Sequence, residues 1–272
     1  MEKAKPSKVL PALPPEAGRW TAEESVGRDP YWSNRVAATL DGYRGRIPRR
    51  FAEFHPTTFR RLETASNEVA LTFDACGGTY GSGFNAPLVD FLEADRVPAT
   101  IFVSWRWVTN GNLGNFRRLA TNGLFQVENH GLTHRPCAVS PREIYRIPST
   151  PDLAAAVMEI AGNAALLERL TGRRTSFFRS GTAYYDDVAM DLAASLGHRV
   201  AGWDVLSGDV GGGQTAQAIA GRVLRACKPG SVVIMHLNQP SWNAAPATRI
   251  IVETLRSRGV RFVRLDGVRE GP

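Results

Sequence analysis

Glu68-Val69-Ala70-Leu71-Thr72-Phe73-Asp74-Ala75-Cys76-Gly77-Gly78 decides how the rest of the chain is read. Val69 to Phe73 is a short run, mostly apolar and partly β-branched, without a turn former, which predicts a buried strand. The run ends on a carboxylate, and two glycines follow closely. In α/β folds the carboxyl ends of parallel strands face the functional site. One aspartate at a strand end is more often a cap or turn residue. Two further strand ends shift the balance: Val127-Glu128-Asn129-His130, with His134 four residues on, and Val232-Val233-Ile234-Met235-His236. Three of the five histidines therefore sit at or just after strand ends.

Outward from that stretch the pattern alternates. Strands are predicted over 69–73, 99–103, 125–129, 175–178, 199–203, 231–236 and 260–263, and helices near 86–94, 114–121, 152–170, 186–196, 215–226 and 247–258. The helix over 152–170 is the best marked. Thr150-Pro151-Asp152 supplies a cap and a proline, Val157, Ile160, Ala164, Leu167 and Leu170 recur at helical spacing, and Gly172 ends it. Seven strands alternating with helices imply an α/β fold with a parallel sheet, closed as an irregular (β/α)7 barrel. Residues 1–50 read as an N-terminal extension, extended to about residue 30 because Pro6, Pro11, Pro14 and Pro15 oppose helix, with a short helix over Asn34 to Tyr43. Trp20, Tyr31 and Trp32 suggest that part of it docks on the body, and 51–272 form one catalytic domain.

The chain has 272 residues, 43% of them apolar, and a formal charge of +7. That charge suits an anionic partner, but the arginines occur as short scattered pairs such as Arg49-Arg50 and Arg173-Arg174, which argues against nucleic acid. Cys76, Cys137 and Cys227 are too few for a disulfide scaffold and read as three buried thiols, with one bridge as the alternative. No apolar run approaches a membrane span, and Met1 to Pro15 has no apolar centre of the signal-peptide kind. Either the protein works in the cytoplasm or a signal segment has been removed from it.

His130 and His134 are spaced so that one turn or a tight loop puts both imidazoles on one side, half a shell for zinc or a similar ion. A chance surface pair would explain the spacing alone; the company of Asp74 and His236 favours the metal. His236 is a core histidine or a general acid, since imidazole titrates near neutral pH. Arg179, at another strand end, is a surface residue or the partner of a carboxylate whose pKa it lowers. Asp204 and Asp209 are turn residues by default, and either could orient a histidine.

In this order the motifs resemble the polysaccharide deacetylases of carbohydrate esterase family 4, the NodB-homology domain. The likeness covers roughly residues 66 to 265. Thr72-Phe73-Asp74 is similar to the family's Thr-Phe-Asp-Asp, His130 to His134 to its His-Ser/Thr-x-x-His, and Arg179 to the arginine of Arg-x-Pro-aromatic. Asp209 corresponds to the last aspartate of Asp-x-x-Asp-Trp, and Ile234-Met235-His236 to Leu-x-His. The chain departs at Ala75, where the family has a metal-binding aspartate, and at Gly131, Gly181, Thr182, Leu206 and Val210, so the groove loses two aromatic walls.

The resemblance implies hydrolysis of an N- or O-acetyl group on a glycan, at the cell envelope. One divalent ion is implied on His130 and His134, with Asp74 as a possible ligand; zinc is the first expectation, with cobalt and nickel as alternatives. Asp74 is the implied base, Arg179 its partner, and His236, oriented by Asp209, the acid. Thr182, through its backbone N–H, with Tyr184 and Trp203, is the implied substrate contact. Ala75→Asp is expected to raise metal affinity. Two alternatives stand: a hydrolase of a non-sugar amide on the same fold, and a glycan-binding module without catalysis.

Overall fold

The computed structural model describes residues 15–267. Its centre is a parallel sheet built from β1 (Glu68–Ala75), β2 (Ala99–Val103), β3 (Phe125–Asn129), β4 (Phe177–Phe178), β5 (Arg199–Val200), β6 (Val205–Leu206) and β7 (Val232–His236). Across the sheet the order is β6-β7-β1-β2-β3-β4-β5, and β8 (Arg261–Phe262) pairs with the first residues of β1. The sheet curls into an incomplete, irregular α/β barrel. Two of the expected strands are short, one of them for a visible reason. Backbone N–H groups of Ser176 and Phe177 donate to the Glu128 carboxylate at 2.8 and 2.7 Å instead of continuing a ladder. The strand expected over 199–203 stops at Val200, and a separate strand, β6, follows beside β7.

Alternation along β1 sorts its side chains. Leu71, Phe73 and Ala75 enter one apolar layer with Ile101, Val103 and Met235, beneath helices Ala86–Ala94 and Ala244–Ser257. Ala70 belongs to the other layer, with Phe102, Phe178 and Ile234, and Thr72 and Asp74 share its face by the two-residue period. Helix Leu153–Thr171 carries the second layer: the Asp152 side chain caps Ala155 N–H at 2.8 Å, and Gly172 ends the helix at φ 64°.

The reading of an extended N-terminal arm fails where it is described. Residues 1–14 lie outside the described residues, but Ala22–Arg28 is a helix, and Pro30–Gly42 is the helix expected over Asn34 to Tyr43, begun four residues earlier; both pack on Leu153–Thr171. Their caps are local. Thr21 accepts from Glu24 N–H, and Asp29 accepts from Tyr31 N–H with Pro30 in the first turn. Proline density upstream says nothing against a helix that starts after a cap. Trp32 is buried, and its indole N–H donates to Glu168 at 2.8 Å, so this segment is docked on the body. Among the described residues no helix is long and apolar enough to cross a membrane.

Candidate active site

Asp74 is the last residue but one of β1, on the face opposite Ala75. One carboxylate oxygen takes a hydrogen bond from Arg179 Nη1 at 2.6 Å; the other lies 3.7 Å from His130 Nε2. Arg179 is fully buried. It donates further to Thr72 Oγ1, Ala201 O and Gly202 O, and its guanidinium lies 4.1 Å over the Phe102 ring. Burial works against ionising Asp74, but the Arg179 charge outweighs it and holds the carboxyl below its usual range.

His130 Nδ1 donates to the Arg179 carbonyl at 2.8 Å, which fixes the tautomer and leaves Nε2 with its lone pair. His134 returns on a tight loop, not a helix, and the two rings stand edge to face with centroids 4.8 Å apart. Burial lowers both histidines, His134 strongly, so both are neutral donors. The loop is shaped by Glu159, which accepts N–H bonds from Thr133 and Arg135 and the Thr133 hydroxyl. Gly131 has φ 83°, and a Cβ there would come within 2.4 Å of Glu159 Oε1. The missing Ser or Thr of this motif is thus explained by the buried Glu159. Gly181 has a parallel explanation: its Cβ would lie 2.3 Å from the carbonyl carbon of His134.

A third donor stands beside the two imidazoles. Cys76 Sγ is 3.6 Å from His130 Nε2, and Sγ and one nitrogen of each histidine all lie within 4.8 Å of one another. Zinc with N at about 2.0–2.1 Å and S at about 2.3 Å needs tetrahedral donor separations on the order of 3.3–3.6 Å. Two imidazoles and a thiol suit such an ion chemically, and binding it would draw the donors together by up to about 1 Å. Ala75, at the position where the resemblance places a metal-binding aspartate, is wholly buried in the apolar layer. All three cysteines are free thiols with no bridge between them, but only Cys137 is fully buried, so the reading as three buried thiols holds for that one alone.

His236 pairs in register with Asp74 on the adjoining strand. Its Nδ1 lies 3.1 Å from Asp209 Oδ1, and its backbone N–H donates to Oδ2 at 2.7 Å. Burial disfavours the imidazolium, yet Asp209 and then Asp74 outweigh this and raise His236 above its usual value. Asp204 is elsewhere: it holds Arg61, Ser231 and the Val232 N–H. The other two histidines are structural, His55 on the Tyr185 carbonyl and His198 on Thr175.

These groups open into a cavity of about 720 Å³. Thr182 and Trp203 line it. Thr182 is held at φ 66°, with its hydroxyl buried and unpartnered. Tyr184 is not among the lining residues; its ring packs on Tyr145 and Phe51. Tyr145, Tyr80 and Trp242 line the cavity from distant loops, so aromatic walls return where sequence reasoning found them lost. Only the aromatic character of those loops hinted at this.

A curled parallel sheet with an Asp–Arg pair, two neutral histidines and an Asp–His pair at its strand ends defines a hydrolase of the carbohydrate deacetylase class. The chain belongs to the polysaccharide deacetylase family, whose sequence pattern matches residues 61–201. It is 26% identical over 179 residues to a chitooligosaccharide deacetylase of Sinorhizobium fredii, covering 66% of this chain and 76% of that protein. Among solved structures, an acetyl xylan esterase of family 4 from Clostridium thermocellum, in complex with a cobalt ion, superposes with TM-score 0.60. It is 25% identical, covering 73% of this chain and 88% of that one. The fold is also that of a family 4 pseudoenzyme from Bacillus anthracis, at TM-score 0.65 and 20% identity over 78% of this chain and 69% of that chain.

Proposed function

We propose that the protein is a metal-dependent deacetylase of an N- or O-acetylated glycan, its catalytic unit lying within residues 51–272. The observation that carries this is the register of Asp74 with His236. It puts an ionised carboxylate and a chargeable imidazole side by side, on strands about 4.8 Å apart. A base and an acid with opposed pKa shifts are what acyl hydrolysis needs.

Asp74, held ionised by Arg179, takes a proton from the attacking water. The water oxygen bonds to the acetyl carbon. The backbone N–H of Thr182 is the candidate donor to the oxyanion. His236 gives its proton to the leaving amine or alcohol as the bond to the sugar breaks, and acetate is released. A divalent ion, with zinc the first expectation, would be held by His130 and His134 with Cys76 in reach, and would supply a Lewis acid for the acetyl carbonyl. Tyr80, Tyr145, Trp203 and Trp242 offer flat faces for sugar rings. The similarity to a chitooligosaccharide deacetylase supports an N-acetylated substrate. An envelope glycan as substrate implies action in the periplasm or outside the cell.

Acetate release from chitin oligomers and peptidoglycan, before and after chelation and with metal restored, tests this reading. Small aryl amides, run in parallel, test the non-sugar alternative. Release from neither glycan with full activity on an aryl amide would replace the glycan by that alternative. Metal bound with no turnover on any substrate would leave a binding module.

A further inference from the structure

Cys76 sits on the floor of the cavity, and no proton transfer described above uses it. We propose that Cys76 is the third protein ligand, a thiolate standing in for the carboxylate this chain lacks. The donor set is then Cys76, His130 and His134, and Asp74 is left free as the base. The inference rests on the metal-dependent reading of the site.

Alternation along β1 and just past its end is the first support. Thr72 binds Arg179, Asp74 binds Arg179, and Cys76 continues that face with its sulfur beside His130. Ala75 itself offers no donor atom, and its methyl group lies in the apolar layer. The donor atoms themselves are the second. Sγ and the two imidazole nitrogens cluster within 4.8 Å of one another, and a tetrahedral ion would draw them in by up to about 1 Å. His130 has already committed Nδ1 to the Arg179 carbonyl, which leaves Nε2 on the side of the sulfur. Third, the sulfur is held in place. Gly77 follows at φ 81° and passes so close to the backbone of Trp107 that a Cβ would lie 2.5 Å from its nitrogen. Gly77 N–H also donates to Gly81 O at 2.9 Å, closing the turn. Asp74, in contrast, has one oxygen tied to Arg179.

A thiolate with two imidazoles selects zinc or cobalt over magnesium, calcium or manganese, which favour oxygen donors. The set is softer than two histidines with an aspartate. Cys137 and Cys227 are remote: Cys137 packs against Ala156 O, and Cys227 follows the helix Ala216–Ala226.

The metal-free protein is titrated with cobalt(II) alone and its near-ultraviolet absorbance followed. Wild type and Cys227→Ser are expected to show a sulfur-to-cobalt charge-transfer band at one ion per chain. Cys76→Ser is expected to lose the band and bind at least about tenfold more weakly; Cys76→Asp should recover affinity without the band. Should Cys76→Ser fail to fold, zinc protection of Cys76 from iodoacetamide in wild type, read by mass spectrometry, answers the same question. An unchanged band in Cys76→Ser, or alkylation of Cys76 unaffected by bound zinc, overturns the proposal. One cobalt ion bound without any sulfur band overturns it while leaving the metal-dependent reading intact. No binding of cobalt or zinc by wild type overturns both.

Discussion

At and behind the floor of the cavity, Asp74, His130 and, beneath them, Arg179 expose 3%, 1% and 0% of their surface, whereas Tyr80, Tyr145, Leu206 and Val210 at the rim expose 88%, 68%, 53% and 55%. The floor is polar, and its groups hold one another: Thr72 and Asp74 hold Arg179, and the Arg179 carbonyl holds His130. The rim is apolar and comes from the turns at Tyr80 and Tyr145 and from the end of β6 and the segment after it. Groups that move protons need fixed distances and tuned charge, which strands and burial supply. Groups that meet a polymer need accessible area, which loops supply. The chain retains the groups that would move protons, Asp74, Arg179, Asp209 and His236, and departs both at the metal position, Ala75, and at the rim, Leu206 and Val210.

That contrast predicts the size of effects. Asp74→Asn strikes the floor hardest. Turnover should fall by roughly 100-fold or more. Arg179 would also lose its partner while buried, at a cost of about 3–5 kcal/mol. Acetate release and thermal melting on the same sample measure both. An active, equally stable variant would remove the distinction between floor and rim.

Gly181→Ala comes next. Its Cβ must move the His134 backbone, so stability should drop by about 1–3 kcal/mol and metal affinity with it. Melting with and without zinc reads the two losses separately. If affinity holds while stability falls, His134 is not placed by this contact.

The third effect is on pH. Asp74 is held below the usual carboxyl range and His236 is raised above 6.5. The active form, Asp74 ionised and His236 protonated, therefore lies between a low acidic limb and a raised basic one, and kcat/KM should be bell-shaped. Asp209→Asn removes the charge favouring the imidazolium, so the basic limb should move to lower pH. His236→Ala should slow an N-acetyl sugar more than nitrophenyl acetate, whose leaving group needs little protonation. Equal losses on both substrates and an unmoved limb would make His236 a core residue after all.

The smallest effect belongs to the rim. Tyr80→Ala should leave melting within about 0.5 kcal/mol and kcat nearly unchanged, while raising KM for a glycan oligomer several-fold. A fall in kcat with constant KM would make Tyr80 part of the floor's chemistry.

The sequence by itself determined the elements and the ends of strands at which chemistry would lie. Apolar runs, two-residue and helical periods and caps act between near neighbours, so Val69–Phe73 with Asp74, Asp152 with Gly172, and Val232–Met235 with His236 could all be read locally. The caps at Thr21 and Asp29 were equally local, and the extended reading of that segment went wrong by weighing prolines outside it. Tertiary structure alone decided between neighbours with equal claims. Asp209 rather than Asp204 meets His236, because β6 runs beside β7 and sends residue 209 over its end. Cys76 rather than Ala75 faces the histidines, because the strand's pleat runs on into a turn pinned against Trp107. Tyr80, Tyr145 and Trp242 become walls of one cavity only when the curled sheet gathers their loops. Such proximities depend on closing long loops, and a local pattern does not encode which side chains those closures bring together.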